Sequence, residues 1–536
     1  MSEDSLRERL GQPLTRRQVL HGALVGGVTI GAGGLLSACG GSISPAVLLP
    51  PPVEPIKPGG SLRVGATGGG SKDVIDAHLP AVDPDIMRNW NLYESLATRP
   101  ADFGPLEMLL AESIEPEKGS AKTWIVRLKP GLEFHNSKSV TADDVIFSIN
   151  RIIDPKNPKV GATSIGYIDT KAMTKLDNLT IRIPLQFANA TFPDDIGQYF
   201  NAIVPVGYDP NKPVGTGAFM FDSFTPGQQS VFKRFPNYWE HGKPHLDELT
   251  IIDFAQDTPK VNALLGGEVD AIDNLPTGVI AELQGNKALR VLVSQTGEWQ
   301  PFTMRVDVPP FSDVRVRQAF RLIADRRQLI EQVLLGQGRP ANDMYSPYDP
   351  AYASSLPQRH QDLEQAKSLL KAAGHEGLRV ELVTAPIFQG VPAAAQVFAQ
   401  QATGAGVNVS IRQVDTTTFF GPNYLKWPFA QDFWATRQYL PQVAQGSLPS
   451  SPFNETHWAD PAFIKLIQQA RAHLNEAKRN EILQEAQAIE YERGGYIIPY
   501  FSDQVDAYST KLTGFVPAKS GFPLGNYWFK NVGYKA

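Results

Sequence analysis

Strand-like and helix-like patterns are interspersed along this chain, and that order predicts an α/β fold. Two stretches carry the expectation. Residues 124–135 alternate apolar and polar side chains, break at Pro130-Gly131, and lead into a helix signature opened by Thr141. Residues 258–265 read as a helix that stops at Gly266-Gly267 and returns as a strand over 268–272. At 536 residues the chain holds several domains. Its 42% hydrophobic and 20% charged residues supply large cores rather than global disorder. A net charge of -5 gives no concentrated basic surface for phosphates, so nucleic acid is not an expected partner. The single Cys excludes an intramolecular disulfide, an iron–sulfur cluster and a Cys-rich zinc site.

Taken in order, the chain opens with Arg16-Arg17 ahead of a Gly-rich, weakly apolar run. Paired arginines there resemble a twin-arginine export signal. The run ends Leu36-Ser37-Ala38-Cys39-Gly40, which resembles a lipobox, with Cys39 as the lipidated first mature residue and residues 1–38 as the signal peptide. A transmembrane anchor is the competing reading, disfavoured by the short length and the glycines. Residues 39–60 carry Pro45, Pro50, Pro51, Pro52, Pro55 and Pro58, too proline-dense for a helix, and read as a semi-extended tether. The expected product is a membrane-anchored, extracytoplasmic lipoprotein.

The body opens with strand alternation over residues 61–65, then Gly65-Ala66-Thr67-Gly68-Gly69-Gly70-Ser71-Lys72. A phosphate-binding loop needs Lys directly after its last Gly, and Ser71 intervenes, so this reads as a loop after the first strand. Thr141 and Asp144 have the spacing of a helix cap, with Val145, Ile149 and Ile152 forming the apolar stripe. Thr258-Pro259 supplies a capping hydroxyl and a first-turn proline for the helix that ends at Gly266. Further helices are expected over 365–373, 392–402, 461–474 and 476–492.

A set of collinear motifs then becomes specific. It comprises Asn91-Leu92-Tyr93-Glu94-Ser95-Leu96, Leu110-Ala111-Glu112-Ser113, the 124–151 block, Pro213-Val214-Gly215-Thr216-Gly217-Ala218-Phe219, Phe235-Pro236-Asn237-Tyr238-Trp239, Leu264-Leu265-Gly266-Gly267-Glu268-Val269-Asp270 and residues 310–320 with Asp325-Arg326. Together they resemble the dipeptide, oligopeptide and nickel-binding family of extracytoplasmic solute-binding proteins that serve ABC importers. The resemblance implies a two-lobed periplasmic-binding-protein-like α/β fold with hinge strands and an extra inserted domain. Carried onto this chain, it implies a first lobe from 58–98, 206–297 and 501–536, an insertion over 99–205 and a second lobe over 298–500. It also implies a monomer that holds a small-molecule or peptide ligand between its lobes, uses no cofactor, and delivers the ligand to ABC permease and ATPase subunits.

In that family an Asp shortly after a Trp in the second lobe fixes the ligand amine. The matching stretch here, Asp432-Phe433-Trp434-Ala435-Thr436-Arg437-Gln438-Tyr439, has Arg437 in its place. A guanidinium favours a carboxylate or phosphate oxygen instead. Phe302-Thr303-Met304-Arg305 also departs from the family, which more often has Asn there. Arg437 and Arg305 are therefore candidate ligand contacts, pointing to an anionic or carboxylate-bearing ligand, against a peptide whose amine is held elsewhere. The competing role for each is a local pair with Asp307 or Asp432. Trp90, Trp299, Trp434 and Tyr439 are candidate aromatic walls, or else core residues. His241 and His245 flank Gly and Pro in a turn and do not form a metal-ligand pair on a helix, and no catalytic motif stands out. Transport without chemistry is the expected role, with a sensor or chaperone on the same fold, or an exported hydrolase, as rivals.

Overall fold

The computed structural model describes residues 54–536. Arg16, Arg17 and Cys39 lie outside the described residues, as does most of the expected tether. The first lobe is built on an eight-stranded sheet whose main path runs Leu289–Trp299, Tyr500–Ser509, Ala271–Ile272, Ser61–Thr67, Glu248–Phe254, Gln229–Arg234, Phe219–Thr225. Ser61–Thr67 pairs parallel with both of its neighbours, and the other pairs along the path are antiparallel. Such a central strand has no free edge, and its Leu62, Val64 and Ala66 are wholly buried.

Helix Asp83–Leu92 packs beside this sheet, and its last turn explains the Gly-Thr-Gly motif. A Cβ on Gly215 would stand 2.0 Å from the Leu92 carbonyl oxygen, and one on Gly217 2.4 Å from that of Asn91. Only glycine lets that loop approach a helix end so closely.

The inserted domain has its own four-stranded sheet, in the order Ala111–Pro116, Thr123–Leu128, Thr180–Pro184, Thr174–Lys175. Its core holds Trp124, Val126, Phe134, Val145 and Ile149, so the apolar stripe of helix Ala142–Ile152 is buried as its spacing implies. The buried Asp144 ties this helix down. It accepts from the Thr141 amide (2.9 Å), the Thr141 hydroxyl (2.8 Å) and the Val206 amide (2.9 Å), and pairs with Lys138.

The second lobe carries a five-stranded sheet, in the order Asn408–Gln413, Arg379–Thr384, Phe429–Gln431, Phe302–Met304, Tyr496–Ile497. Helices Val314–Ile323, Leu363–Ala372 and Val391–Thr403 supply Phe320, Leu370 and Phe398 to its core. The two lobes are joined where Leu289–Trp299 leads into Phe302–Met304 and where Tyr496–Ile497 leads back into Tyr500–Ser509.

Several expectations need correction. Ile56 and Lys57 are not free tether; they pair with Lys535 and Tyr534 of the C-terminal strand, and the Gly59 amide bonds the His245 carbonyl at 2.7 Å. Thr258 is not a cap, because the helix begins one residue earlier as Asp257–Gly266 and the Thr67 hydroxyl bonds Asp257 at 2.9 Å. The returning strand is shortened to Ala271–Ile272, since Gly267 is left-handed (φ 75°) and Asp270 turns to hold Arg63. The first strand of the 124–135 block likewise stops at Leu128, before the left-handed Gly131 (φ 75°). The later helices stand within two residues of expectation, as Leu363–Ala372, Val391–Thr403, Pro461–Ala472 and Glu476–Arg493.

The Gly217→Ala variant should lose about 1–3 kcal/mol in urea unfolding, because the helix end must move. Gly70→Ala, where a Cβ meets nothing within 4 Å, should change stability by less than about 0.5 kcal/mol.

Candidate functional site

A cavity of 560 Å³ lies between the lobes and is lined from three sides. The first lobe contributes Trp90, Phe522 and Asn526, the inserted domain Arg99, Tyr167, Asp194, Asp195 and Tyr199, and the second lobe Trp434, Arg437, Gln438 and Arg471. Across the cavity the lobes touch: the Ala190 amide bonds the Arg471 carbonyl at 2.7 Å, and Gln389 reaches the Thr277 hydroxyl at 3.4 Å.

One wall is an aromatic cluster. Trp90 stacks on Tyr199 at 6.0 Å, and Phe522 meets both edge-on, at 6.3 and 5.3 Å. Trp90 sits on helix Asp83–Leu92, and Phe522 comes from the C-terminal segment that the first sheet holds. Residues distant in sequence thus build one apolar face suited to a flat or aliphatic group.

The facing wall is the end of a ring stack that runs into the second lobe. Trp434 stacks on Trp299 (5.7 Å, 11°), Trp299 on Tyr345 (5.2 Å, 18°), and Tyr345 on Tyr439 (5.2 Å, 20°). The far end is anchored by the Tyr439 hydroxyl, which donates to Glu490 at 2.7 Å. Burial pushes the Glu490 carboxyl up to about 7, against the lowering effect of that bond. Trp299 and Trp434 also exchange backbone hydrogen bonds, at 3.1 and 2.9 Å, so the cleft wall is tied to the end of the hinge strand.

This arrangement sorts the six candidate ligand residues. Trp90, Trp434 and Arg437 line the cavity. Trp299 and Tyr439 do not; they are core rings stacked behind Trp434, which is itself only 2% exposed and reaches the cavity as the end of the stack. Nor does Arg305 line it. Its Nε and Nη2 donate to Asp307 at 3.0 and 2.6 Å and its Nη1 to the Lys426 carbonyl, and this pairing holds Asp307 below the usual carboxylate range. That guanidinium is thus paired with an acid two residues along the same chain, away from the cavity lining.

Arg437 is half-buried, with its guanidinium 5.6 Å from the Trp434 ring centre and Nη1 3.4 Å from Gln442 Oε1. Its charge is felt across the cleft by the Tyr199 hydroxyl, whose pKa burial raises and Arg437 opposes. An oxyanion placed between these walls would meet a cation in a partly desolvated setting, where such contacts strengthen.

Sequence reasoning missed the charged groups of the inserted domain. Arg99 donates to Asp194 at 2.6 Å, while Asp195 accepts from the Tyr167 hydroxyl (2.6 Å) and Asn189 (2.8 Å). Asp194 and Asp195 fall in the short helix Phe192–Ile196, where an acidic pair after Pro193 reads simply as first-turn charge. Among the described residues no group of three or more His, Cys, Asp or Glu is placed to hold a metal ion, and no helix is long and apolar enough to cross a membrane. His241 and His245 flank a turn with a cis Lys243-Pro244 bond.

Tyr439→Phe should destabilise the fold by about 1–2 kcal/mol, by removing a donor from buried Glu490. Ligand affinity should stay within about twofold, since the ring lies behind the wall; calorimetric titration beside thermal melts checks both.

Residues 106–478 match the family model described as bacterial extracellular solute-binding proteins, family 5 Middle. The chain is 26% identical over 461 residues to Di/tripeptide-binding protein 2 of Pseudomonas aeruginosa (strain UCBPP-PA14), covering 79% of this chain and 86% of that one. It is also 26% identical over 503 residues to the Dipeptide-binding protein of Escherichia coli (strain K12), covering 84% and 92%. Among solved structures, the ABC transporter-associated periplasmic binding protein DppA from Helicobacter pylori, in complex with the peptide STSA, superposes with a TM-score of 0.74 at 20% identity, covering 90% of this chain and 99% of that one. A two-lobed α/β body with an inserted domain, a cleft between the lobes and a model match over most of the chain lead to one conclusion: the chain belongs to family 5 of the bacterial extracellular solute-binding proteins.

Proposed function

We propose that this protein is an exported, lipid-anchored receptor that captures a peptide or a peptide-like, carboxylate-bearing solute between its lobes and passes it unchanged to an ABC importer. The observation that carries the reading is Arg437, set beside Trp434 on the second-lobe wall of a 560 Å³ cavity whose other wall is aromatic. That volume lies in the range of small-molecule sites, about 300–1,000 Å³. The relatives described above support the class, since they are dipeptide- and di/tripeptide-binding proteins. Arg437 supports the carboxylate, because a planar guanidinium matches two oxygens at once.

Membrane attachment falls to Cys39, with permease and ATPase subunits as partners of the loaded receptor, which acts as a monomer. The Ile56–Lys57 strand fixes where such a leash would leave the body, beside the C-terminal strand Gly533–Lys535. Cleavage and lipidation at Cys39 should place the protein in the detergent phase of a Triton X-114 partition, and Cys39→Ser should return it to the aqueous phase.

A thermal-shift panel of di- to pentapeptides, dicarboxylates and phosphorylated solutes tests the ligand class. A solute at a hundredfold excess over its Kd should add about 2.7 kcal/mol of stability through linkage. Arg437→Ala should weaken carboxylate-bearing hits by about tenfold or more while leaving the melting midpoint of the free protein nearly unchanged. Equal binding by wild type and variant would remove Arg437 from the site.

A further inference from the structure

At the seam where the inserted domain meets the second lobe, two opposite charges face the cleft without satisfying one another. Asp195, on helix Phe192–Ile196, is only 8% exposed. Both of its protein donors, the Tyr167 hydroxyl and the Asn189 amide, go to Oδ2, which leaves Oδ1 without a donor among the described residues. Arg471, near the end of helix Pro461–Ala472, also lines the cavity. Its guanidinium lies 6.0 Å from the Phe187 ring centre and makes no ion pair with Asp195 among the described residues, although each charge favours the ionised form of the other. The seam is fixed by the Ala190 amide, which bonds the Arg471 backbone carbonyl, so the two side chains are held near each other from different lobes.

A carboxylate with one open oxygen and a guanidinium beyond contact distance form a fixed dipole. A lone ammonium would gain from Asp195 and be repelled by Arg471, and a lone carboxylate would meet the reverse. A group carrying an ammonium and a carboxylate on one carbon gains from both. We propose that Asp195 and Arg471 form a dipolar subsite for the free α-amino and α-carboxylate groups of an amino-acid head. This rests on the cleft reading above and narrows it. With the head at the seam and a second anionic group at Arg437, the ligand is an amino acid extended through its side chain, not an ordinary α-linked peptide. Asn189 and Tyr167 are positioning residues, since they aim the Asp195 carboxylate without occupying its open oxygen. Burial pushes Asp195 up to about 7, with Asp194 adding to the rise, and an arriving ammonium offsets that desolvation.

The test compares three probes on the full chain by calorimetric titration: γ-Glu-Phe, its isomer α-Glu-Phe, and N-acetyl-γ-Glu-Phe. The two isomers share composition and net charge, but only the γ-linked one keeps both head groups free. The γ-linked probe should bind at least about tenfold tighter than either of the others. Asp195→Asn and Arg471→Gln should each reduce that preference to within about threefold, with melting midpoints of the free protein confirming that both variants fold. Equal binding of the two isomers, undiminished binding of the acetylated probe, or a preference retained in both variants overturns the subsite. Binding of α-Glu-Phe alone, lost in Arg437→Ala, overturns the subsite while leaving the peptide-receptor reading in place. No binding of any probe overturns the subsite and counts against that reading as well.

Discussion

The antiparallel pairing of Leu289–Trp299 with Tyr500–Ser509 is the constraint on which the rest of the molecule depends. These strands carry the chain out of the first sheet into the second and back again, so each lobe keeps its own core while the connection between them is a narrow ribbon. The ladder is regular from Leu289↔Ser509 to Gln295↔Asp503, then shifts register before Glu298↔Ser502 and Trp299↔Phe501. A bulge at that point bends and twists a ribbon where it must leave one sheet for another. Relative motion of the lobes then needs only a few backbone angles to change, with no core disrupted.

Trp299 joins that ribbon to the cleft. Its backbone pairs with Trp434 and its ring lies within the stack from Trp434 to Tyr439, so hinge end and second-lobe wall behave as one body. The facing wall, with Trp90, Tyr199 and Phe522, belongs to the other side of the hinge. A ligand touching both walls favours the closed arrangement only by its greater affinity for it. Aromatic faces supply area with little loss of rotamer freedom, and in the proposed receptor the charges at Arg437, Asp195 and Arg471 would supply selection.

The alternation of elements was legible because it is local: the Thr141 and Asp144 pair sits where its spacing implies, and the later helices begin within two residues of their signals. The Gly215 and Gly217 motif was visible, but its reason, the carbonyls at the end of a helix more than a hundred residues earlier, was not. Site residues were harder to read. Arg305 and Arg437 look alike in sequence, and what separates them is Asp307 beside one and an interlobe cavity beside the other. Trp299 and Trp434 differ by a single layer of stacking, which depends on how a hinge strand meets a loop from the second lobe. Asp195 gave no signal, because its open oxygen exists only after Tyr167 and Asn189 have both turned to the other one.

We propose that the lobes close about the paired strands when a ligand spans both walls, and small-angle X-ray scattering of the full chain tests this most directly. Measured without ligand and then with a saturating solute that raises the melting midpoint, the radius of gyration should fall and the scattering profile should approach that calculated for the arrangement in which Ala190 meets Arg471. An unchanged profile at saturation would contradict a hinge that closes on its ligand.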